Sequence, residues 1–404
     1  MKIEITDVAH GGVFVGRVSN EVVFVRGALP GEVCDVEITK KRSKLSFARV
    51  TRVLEASEHR VEERWPDGAA GAVGAADFQH ADLAYQRKLK GNVIRALAHR
   101  IGSPQLGEAL SGLTVEPIDS TDGWHRRTRF DLVKLPQGVG MYKEQSHNLI
   151  RLTEQPLAVT ELEDLDLYGS AWDDVIAAGT RMHVVAPASG PNVVVTGKDV
   201  WTAPHHRSRA KLIERATTES KIFDYELTPS GFWQVHAQAP SALLRLVLAG
   251  ADVHEGDHVV ELFSGAGLFS LPLAAAIGHT GTLVTMEGSP TAVVDARANL
   301  AKFSNTTFHT GRIDVRHVSE LTEHADVVIA DPPRSGLGTQ QAKALAACGA
   351  RRIVMVSCDP AAMARDAATL LGHGWELLSS RALDIFPQTH HVEIVSVFGE
   401  ASPR

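Results

Sequence analysis

Cysteine is scarce in this chain: Cys34, Cys348 and Cys358 are the only three among 404 residues. None stands at C-x-x-C spacing, so neither a disulfide framework nor a cysteine zinc site is expected. Long apolar runs are missing too, and nothing approaches the ~20 residues that a membrane-spanning helix requires. The N-terminus, Met1-Lys2-Ile3-Glu4-Ile5, alternates as a strand does and lacks the apolar stretch of a secretory signal. A cytoplasmic protein with no membrane partner is the expectation. An excess of positive charge is also absent. The formal net charge is −7, which on average argues against a nucleic-acid partner. Two local runs depart from that average, Lys40-Lys41-Arg42-Ser43-Lys44 and Arg126-Arg127-Thr128-Arg129, although short basic runs are most often solvated surface.

What is present is divided unevenly along the chain. The length predicts two or three domains. Up to about Glu55 the sequence is valine-rich and alternating, as in Val22-Val23-Phe24-Val25, with turns at Gly11-Gly12, Gly27 and Leu29-Pro30-Gly31. Short strands punctuated in this way predict a small β-barrel, and barrels that bind oligonucleotides often present basic loops to them. Residues 65–78 are small and turn-rich, and read as a structureless linker. A helix over 82–102 follows, with Leu89, Ile94 and Leu97 on one face and Arg87, Lys88 and Lys90 on another. A mixed α+β region extends to about Asp224. From Gly256 onward, buried strands alternate with helices, which predicts an α/β domain with a parallel sheet covered on both faces.

In such a sheet, ligands bind outside the carboxyl ends of the strands. Ser264-Gly265-Ala266-Gly267 follows the first strand, where glycines let the backbone approach a ligand and the next helix offers free N–H groups. Glu287 stands 22 residues beyond Gly265, at the end of the second strand, where a carboxylate can take both ribose hydroxyls. The third glycine of a dinucleotide fingerprint is missing, which favours S-adenosylmethionine over NAD. Asp331-Pro332-Pro333-Arg334 follows a later strand, the prolines fixing Asp331 at its tip. Ser357-Cys358-Asp359-Pro360 follows the next strand, and His391-Val392-Glu393 precedes the last. An acid, a thiol and a second acid thus converge on one edge. Carbon 5 of uracil is a poor nucleophile, and thiolate attack on carbon 6 turns it into an enolate carbon that accepts a methyl group. A base must then take the proton from carbon 5. Cys358 suits the first role and Glu393 the second. For Cys358 alone, a buried small hydrophobe is the ordinary alternative; for Glu393, a solvated edge-strand acid.

Together these residues resemble the RNA uracil-5 methyltransferase family. The resemblance rests on Phe232-Trp233-Gln234-Val235, Glu261-Leu262-Phe263-Ser264-Gly265-Ala266-Gly267, the Asp331 motif, Ser357-Cys358-Asp359-Pro360 and His391-Val392-Glu393, in that order. The N-terminal segment, with Gly11-Gly12, Gly16-Arg17 and Leu29-Pro30-Gly31-Glu32, is similar to the TRAM domain, an RNA-binding barrel. The resemblance implies a TRAM-like barrel over 1–56, a central domain over 57–225 whose helix 82–102 packs on the catalytic domain, and a Rossmann-like class I methyltransferase domain over 226–404. It implies that Gln234, Phe263, Gly265, Glu287 and Asp331 contact S-adenosylmethionine, with Asp314 near the adenine. Cys358 and Glu393 would be nucleophile and base, and Arg126, Arg127 and Arg129 would lie near RNA phosphates. The partner is a ribosomal or transfer RNA whose target uridine is flipped from its stack; the chain itself is expected to be a monomer.

Two departures stand out. Many family members hold an iron–sulfur cluster on four cysteines, and the corresponding positions here are Trp65, Val73, Ala76 and Gln155, so no cluster is expected. The following Asp77-Phe78-Gln79-His80 keeps the family pattern. Two residues after Gln234, His236 replaces the usual asparagine. Rival readings are a methyltransferase with another base as target and a non-catalytic RNA binder on the same fold. Against the first, Arg334 occupies the place of the aromatic residue that amine methylation uses. Cys348, in an alanine-rich run, is poorly placed as a second motif cysteine. Against the second stand the intact Cys358, Glu393, Asp331 and Glu287.

Overall fold

A computed structural model describes residues 1–18, 21–43, 45–209 and 211–400; Lys44 of the first basic run lies outside the described residues. The valine-rich start closes into a five-stranded barrel in the order Lys2–Ala9, Val13–Val18, Glu21–Arg26, Leu45–Glu55, Val33–Lys41. Alternation puts Ile3, Ile5, Phe14, Val23, Val25 and Val36 inside. Cys34 joins them, and burial pushes its thiol up to about 11, as suits a core thiol with no reactive role.

The expected domain boundaries divide the chain differently from its packing. A seven-stranded antiparallel sheet spans Arg129–Lys134 to His206–Ser208 and forms the centre of the middle domain. The segments on either side of it belong physically to the catalytic layer. Val115–Pro117 adds a parallel edge strand beside Trp375–Asp384. The hairpin of Leu212–Thr217 and Ile222–Leu227 packs its Ala216, Tyr225 and Leu227 into the core beneath the catalytic sheet.

That sheet has eight strands in the order Thr306–Thr310, Thr282–Glu287, His258–Leu262, Val327–Ala330, Arg352–Ser357, Glu393–Glu400, Trp375–Asp384, Val115–Pro117. The first five are parallel; the inner strands His258–Leu262, Val327–Ala330 and Arg352–Ser357 are largely apolar, as strands covered by helices on both faces must be, while the edge strand Thr306–Thr310 is polar and mostly exposed. Glu393–Glu400 runs antiparallel to both neighbours, which brings its first residue to the same end as the carboxyl termini of the parallel strands. His258–Leu262 pairs with Thr282–Glu287 on one side and Val327–Ala330 on the other, so the strand order reverses there and opens a crevice.

The helix Leu83–Leu97 starts on Asp82, whose carboxylate accepts from the Tyr85 N–H, and continues as a wider turn over Ala98–Gly102. It packs against the catalytic helix Pro360–Leu371, with Ile94, Leu97 and Ala98 in the core of that domain. Periodicity set Lys90 on the polar face, and that placement is corrected by the structure. Its ammonium is fully buried, 2.6 Å from Asp384 and 3.0 Å from the Phe386 carbonyl. The loop 65–78 is also no loose linker: Trp65, Val73, Ala76 and Phe78 are all buried.

Removing one member of a buried ion pair leaves the other uncompensated, at a cost of about 3–5 kcal/mol. Lys90→Met leaves Asp384 only the more distant Arg87, at 3.9 Å, and is expected to lower the stability of the catalytic domain by up to roughly that amount, read as a shift of its urea unfolding transition. The double replacement Lys90→Met, Asp384→Leu should recover most of the loss.

Candidate active site

The carboxyl ends of the parallel strands open on a cleft of about 1140 Å³. Gln234, Phe263, Gly265, Glu287, Asp331, Cys358 and Glu393 all line it. Each is delivered by a local rule. Phe263 closes the first strand with φ at +63°, a conformation few residues other than glycine adopt, while its N–H is held by the Met286 carbonyl at 2.8 Å. Gly265 follows at φ +54° and donates its N–H to Glu287 Oε2 at 3.0 Å. The Ser289 N–H takes Glu287 Oε1 at 2.7 Å, so two backbone amides orient this carboxylate at the cleft wall. Phe232, 73% exposed, and Phe263 supply aromatic surface on the same cleft.

The reacting end is acidic and half dry. Burial, followed by the charge of Glu287, pushes Asp331 from 3.8 up to about 7. Glu393 is raised well above the ordinary carboxylate range, first by burial and then by Asp331. The Cys358 thiol goes up to about 12 through burial, Glu393 and Asp331, against which the Arg334 guanidinium acts in the opposite sense. Arg334 reaches His391 Nε2 at 3.3 Å and lines the cleft beside Cys358. In the sequence Arg334 only stands where an aromatic would be; its electrostatic place among three acidic groups appears only in three dimensions.

Four expected contact residues are placed elsewhere. Asp314 caps the helix Val315–Thr322, its carboxylate accepting from the His317 N–H at 3.0 Å, and its neighbour Ile313 lines the cleft instead. Arg129 is 5% exposed and locked in a buried ion pair with Glu214, with no surface to offer a phosphate. Arg127 is half-buried, donates to the Ala75 carbonyl, and burial lowers its pKa to about 10. Arg126 pairs with Asp119 at 3.4 Å and with Thr121. Arg129 thus ties the middle sheet to the hairpin beneath the catalytic sheet, while Arg126 and Arg127 make contacts within the protein. His236 sits in the same junction, buried, its Nδ1 accepting from the Gln238 N–H and its Nε2 3.6 Å from Asp119; burial lowers its pKa to about 4, so it stays neutral.

Trp65, Val73 and Ala76, at positions matching cluster cysteines, share one apolar core with Leu152 and Leu157, and Gln155 lies buried with its amide 3.6 Å from the Met141 sulfur. These side chains offer no ligand set and do not fit an iron–sulfur cluster; among the described residues no group of three potential ligands is found. Nor is any helix among them long and apolar enough to cross a membrane.

Comparison with known proteins agrees with this arrangement. Residues 208–400 match the tRNA (uracil-5-)-methyltransferase family, and residues 1–51 match the TRAM domain. An uncharacterized RNA methyltransferase of Streptomyces avermitilis is 32% identical over 99% of this chain and 98% of its own. The 23S rRNA (uracil(1939)-C(5))-methyltransferase of Edwardsiella ictaluri is 30% identical over 98% and 95%. The chain belongs to the RNA uracil-5 methyltransferase family. Its enzymatic class is that of the family, S-adenosylmethionine-dependent methylation of RNA uracil at carbon 5. The family fold is shared with the crystal structure of the Pyrococcus abyssi tRNA (uracil-54, C5)-methyltransferase in complex with S-adenosyl-L-homocysteine. The TM-score is 0.69 at 22% identity, over 98% of this chain and 100% of that one.

For a family member with cofactor-free acids this crowded, pH and stability are linked. An acid whose folded pKa is raised keeps its proton in the folded chain after the unfolded chain has lost it. Stability due to Asp331 thus falls as pH rises through 3.8, and the loss is complete above about 7. Asp331→Asn removes that penalty. It is expected to raise the Tm of the cofactor-free protein more at pH 8 than at pH 5, in differential scanning fluorimetry; equal shifts at both would show that Asp331 is not the strained group.

Proposed function

We propose that this protein methylates carbon 5 of a uridine in a ribosomal or transfer RNA through a covalent bond between Cys358 and carbon 6. The observation that carries the reading is the convergence of Cys358, Glu393 and Asp331 on one cleft that also holds Glu287 and the turn at Gly265.

The cleft suits S-adenosylmethionine on its own evidence. Glu287 and Asp331 face one half-enclosed space, and their mutual repulsion is what a cationic ligand relieves. Glu287 would take the ribose, Gly265 would leave room for the backbone to approach, and Phe263 and Gln234 would bound the nucleoside. S-adenosylmethionine supplies an electrophilic methyl group on a sulfonium. A cationic ligand held near Asp331 would favour its ionised form, so its binding should release a proton.

The chain's own residues carry the rest. Cys358, its proton lost to solvent, adds to carbon 6, and the electron pair of the 5,6 double bond moves onto carbon 5 and the carbon-4 oxygen. Carbon 5 then takes the methyl group as the methyl–sulfur bond breaks, which leaves S-adenosylhomocysteine. Glu393, whose pKa is raised by burial, then accepts the carbon-5 proton, and the released pair expels the Cys358 thiolate and restores the double bond. Arg334 is the cation that opposes the acids around Cys358 in the free enzyme. The uridine must leave its stack to reach a thiol at the end of such a cleft.

The test is incubation with 5-fluorouridine-containing RNA and S-adenosylmethionine. Fluorine cannot leave as a proton, so the wild type should accumulate a protein–RNA adduct that Cys358→Ala does not form. With ordinary uridine, Glu393→Gln should accumulate a methylated RNA still attached to Cys358, because the elimination step stalls. No adduct with any ribosomal or transfer RNA, under conditions where the cofactor binds, would sink the covalent reading.

A further inference from the structure

The turn between the first two barrel strands lies against the rest of the protein, with His10 partly exposed and Gly12 buried. Gly12 presses on the catalytic domain: at φ +70°, a Cβ there would come within 2.4 Å of Asp77 Oδ2 and 2.9 Å of His390 Nδ1. Asp77 accepts from the His390 N–H at 3.1 Å and binds its ring nitrogen at 2.5 Å, and His390 begins the stretch that leads to Glu393. Two residues before Gly12, His10 Nε2 lies 2.9 Å from Asp359 Oδ2. Asp359 is the neighbour of Cys358, and its other oxygen caps the following helix by accepting from the Ala361 and Ala362 N–H groups at 3.0 and 2.8 Å. One short turn thus touches the loop of the nucleophile with one end and the loop of the base with the other. Between turn and loops lies a cavity of about 120 Å³, lined by His10, Gly11, Cys358, Asp359 and His391.

An exposed pair of this kind contributes about 1 kcal/mol or less to stability, so stability alone gives little reason for it. Position is another matter. Asp359 anchors the peptide after Cys358 to the following helix through its carbonyl, which accepts from the Met363 N–H at 2.9 Å, and through its side chain, and His10 holds that side chain from outside the domain.

We infer that His10 is a positioning residue of the methyl-transfer reaction: the RNA-binding barrel, through its Ala9–Gly12 turn, holds the Cys358 loop at its working distance from the Glu393 loop. The barrel is then a wall of the active site as well as a handle for RNA. This inference rests on the roles given above to Cys358 and Glu393. The hydrogen bond to Asp359 raises the pKa of His10, against the effect of burial, which works in the direction of a charge-assisted link.

The test compares full-length wild type, His10→Ala and His10→Gln, the last retaining a donor toward Asp359. Thermal unfolding and S-adenosylhomocysteine binding are checked first, and both should match the wild type. At saturating 5-fluorouridine RNA, His10→Ala is expected to form the adduct at least about tenfold more slowly, as small misplacements of reacting groups do. Its RNA affinity should stay within about threefold of wild type, and His10→Gln should recover most of the rate. A second readout needs no RNA turnover: the rate of Cys358 alkylation by iodoacetamide, followed by peptide mapping, should differ between wild type and His10→Ala. If the wild type gives no adduct, the covalent reading fails and the alkylation rates alone decide on His10. An unchanged adduct rate at saturation overturns the inference where the wild type reacts, and so does a loss confined to RNA affinity. Equal alkylation rates overturn it in either case. A His10→Gln protein that is folded yet no faster than His10→Ala also counts against it.

Discussion

Negative charge at the carboxyl ends of the strands is the constraint around which this protein is built. Glu261, Glu287, Asp331 and Glu393 lie within one end of a single sheet, with a thiol among them. In a low-dielctric cleft such groups cannot all be ionised together. Glu261, fully buried and hydrogen-bonded by Ser270, is pushed to about 8 and is neutral at physiological pH. Asp331 and Glu393 are raised as well, and the proton inventory of the free cleft is therefore large. A cationic cofactor changes that inventory at a stroke, and a base with a raised pKa is a competent proton acceptor once its surroundings turn less negative. Structural cost and chemical use have the same origin.

Holding such groups in place requires supports from outside the sheet. The stretch from Asp384 to Glu393 is bound by the buried Lys90 ammonium, by Gln86, which donates to and accepts from Gln388, and by Asp77 on His390. All three supports come from residues 77–90, far away in sequence. The loop 65–78 that carries Asp77 is held in turn by an apolar core where many family members are read as using a metal cluster. Trp65 brings its ring against Gly68, where a Cβ would come within 2.0 Å of it, and Gln79 clamps the Trp65 backbone with both its amide atoms. Packing of this kind can fix a loop without metal ligation, because a buried aromatic and its neighbours leave few alternative arrangements.

How much of this was legible in the sequence depended on the range of the interaction. The apolar strands at 258–262, 327–330 and 352–357 announce themselves, because a strand buried on both faces needs no partner to be recognised. The turn at Gly265 and the prolines after Asp331 are equally local. Lys90 is different: on a helix, a lysine beside Arg87 and Lys88 reads as solvated, and only Asp384, almost three hundred residues away, turns it inward. Arg129 fails for the same reason, its partner Glu214 lying 85 residues further on, on a hairpin that packs beneath the catalytic sheet. Asp314 shows a third kind of ambiguity. An acid after a strand serves equally well as a ligand to a nucleoside or as the cap of the next helix, and here the helix has it.

The order of the chain then acquires a physical meaning. The barrel, first in sequence, meets the catalytic domain through a turn whose glycine admits no side chain, against an Asp–His pair that leads into the base-bearing strand. Such a contact tolerates little sliding, since a shift large enough to help one loop would drive the other into the turn. On the proposed roles, RNA held by the barrel would be held at a fixed offset from Cys358, whatever the flexibility of the RNA itself. Placement of the target base would then be shared between two domains that touch beside Cys358 and Glu393. Orientation of this kind lowers the entropic part of a barrier, and on the proposed mechanism it would do so without a further residue having to touch the uracil.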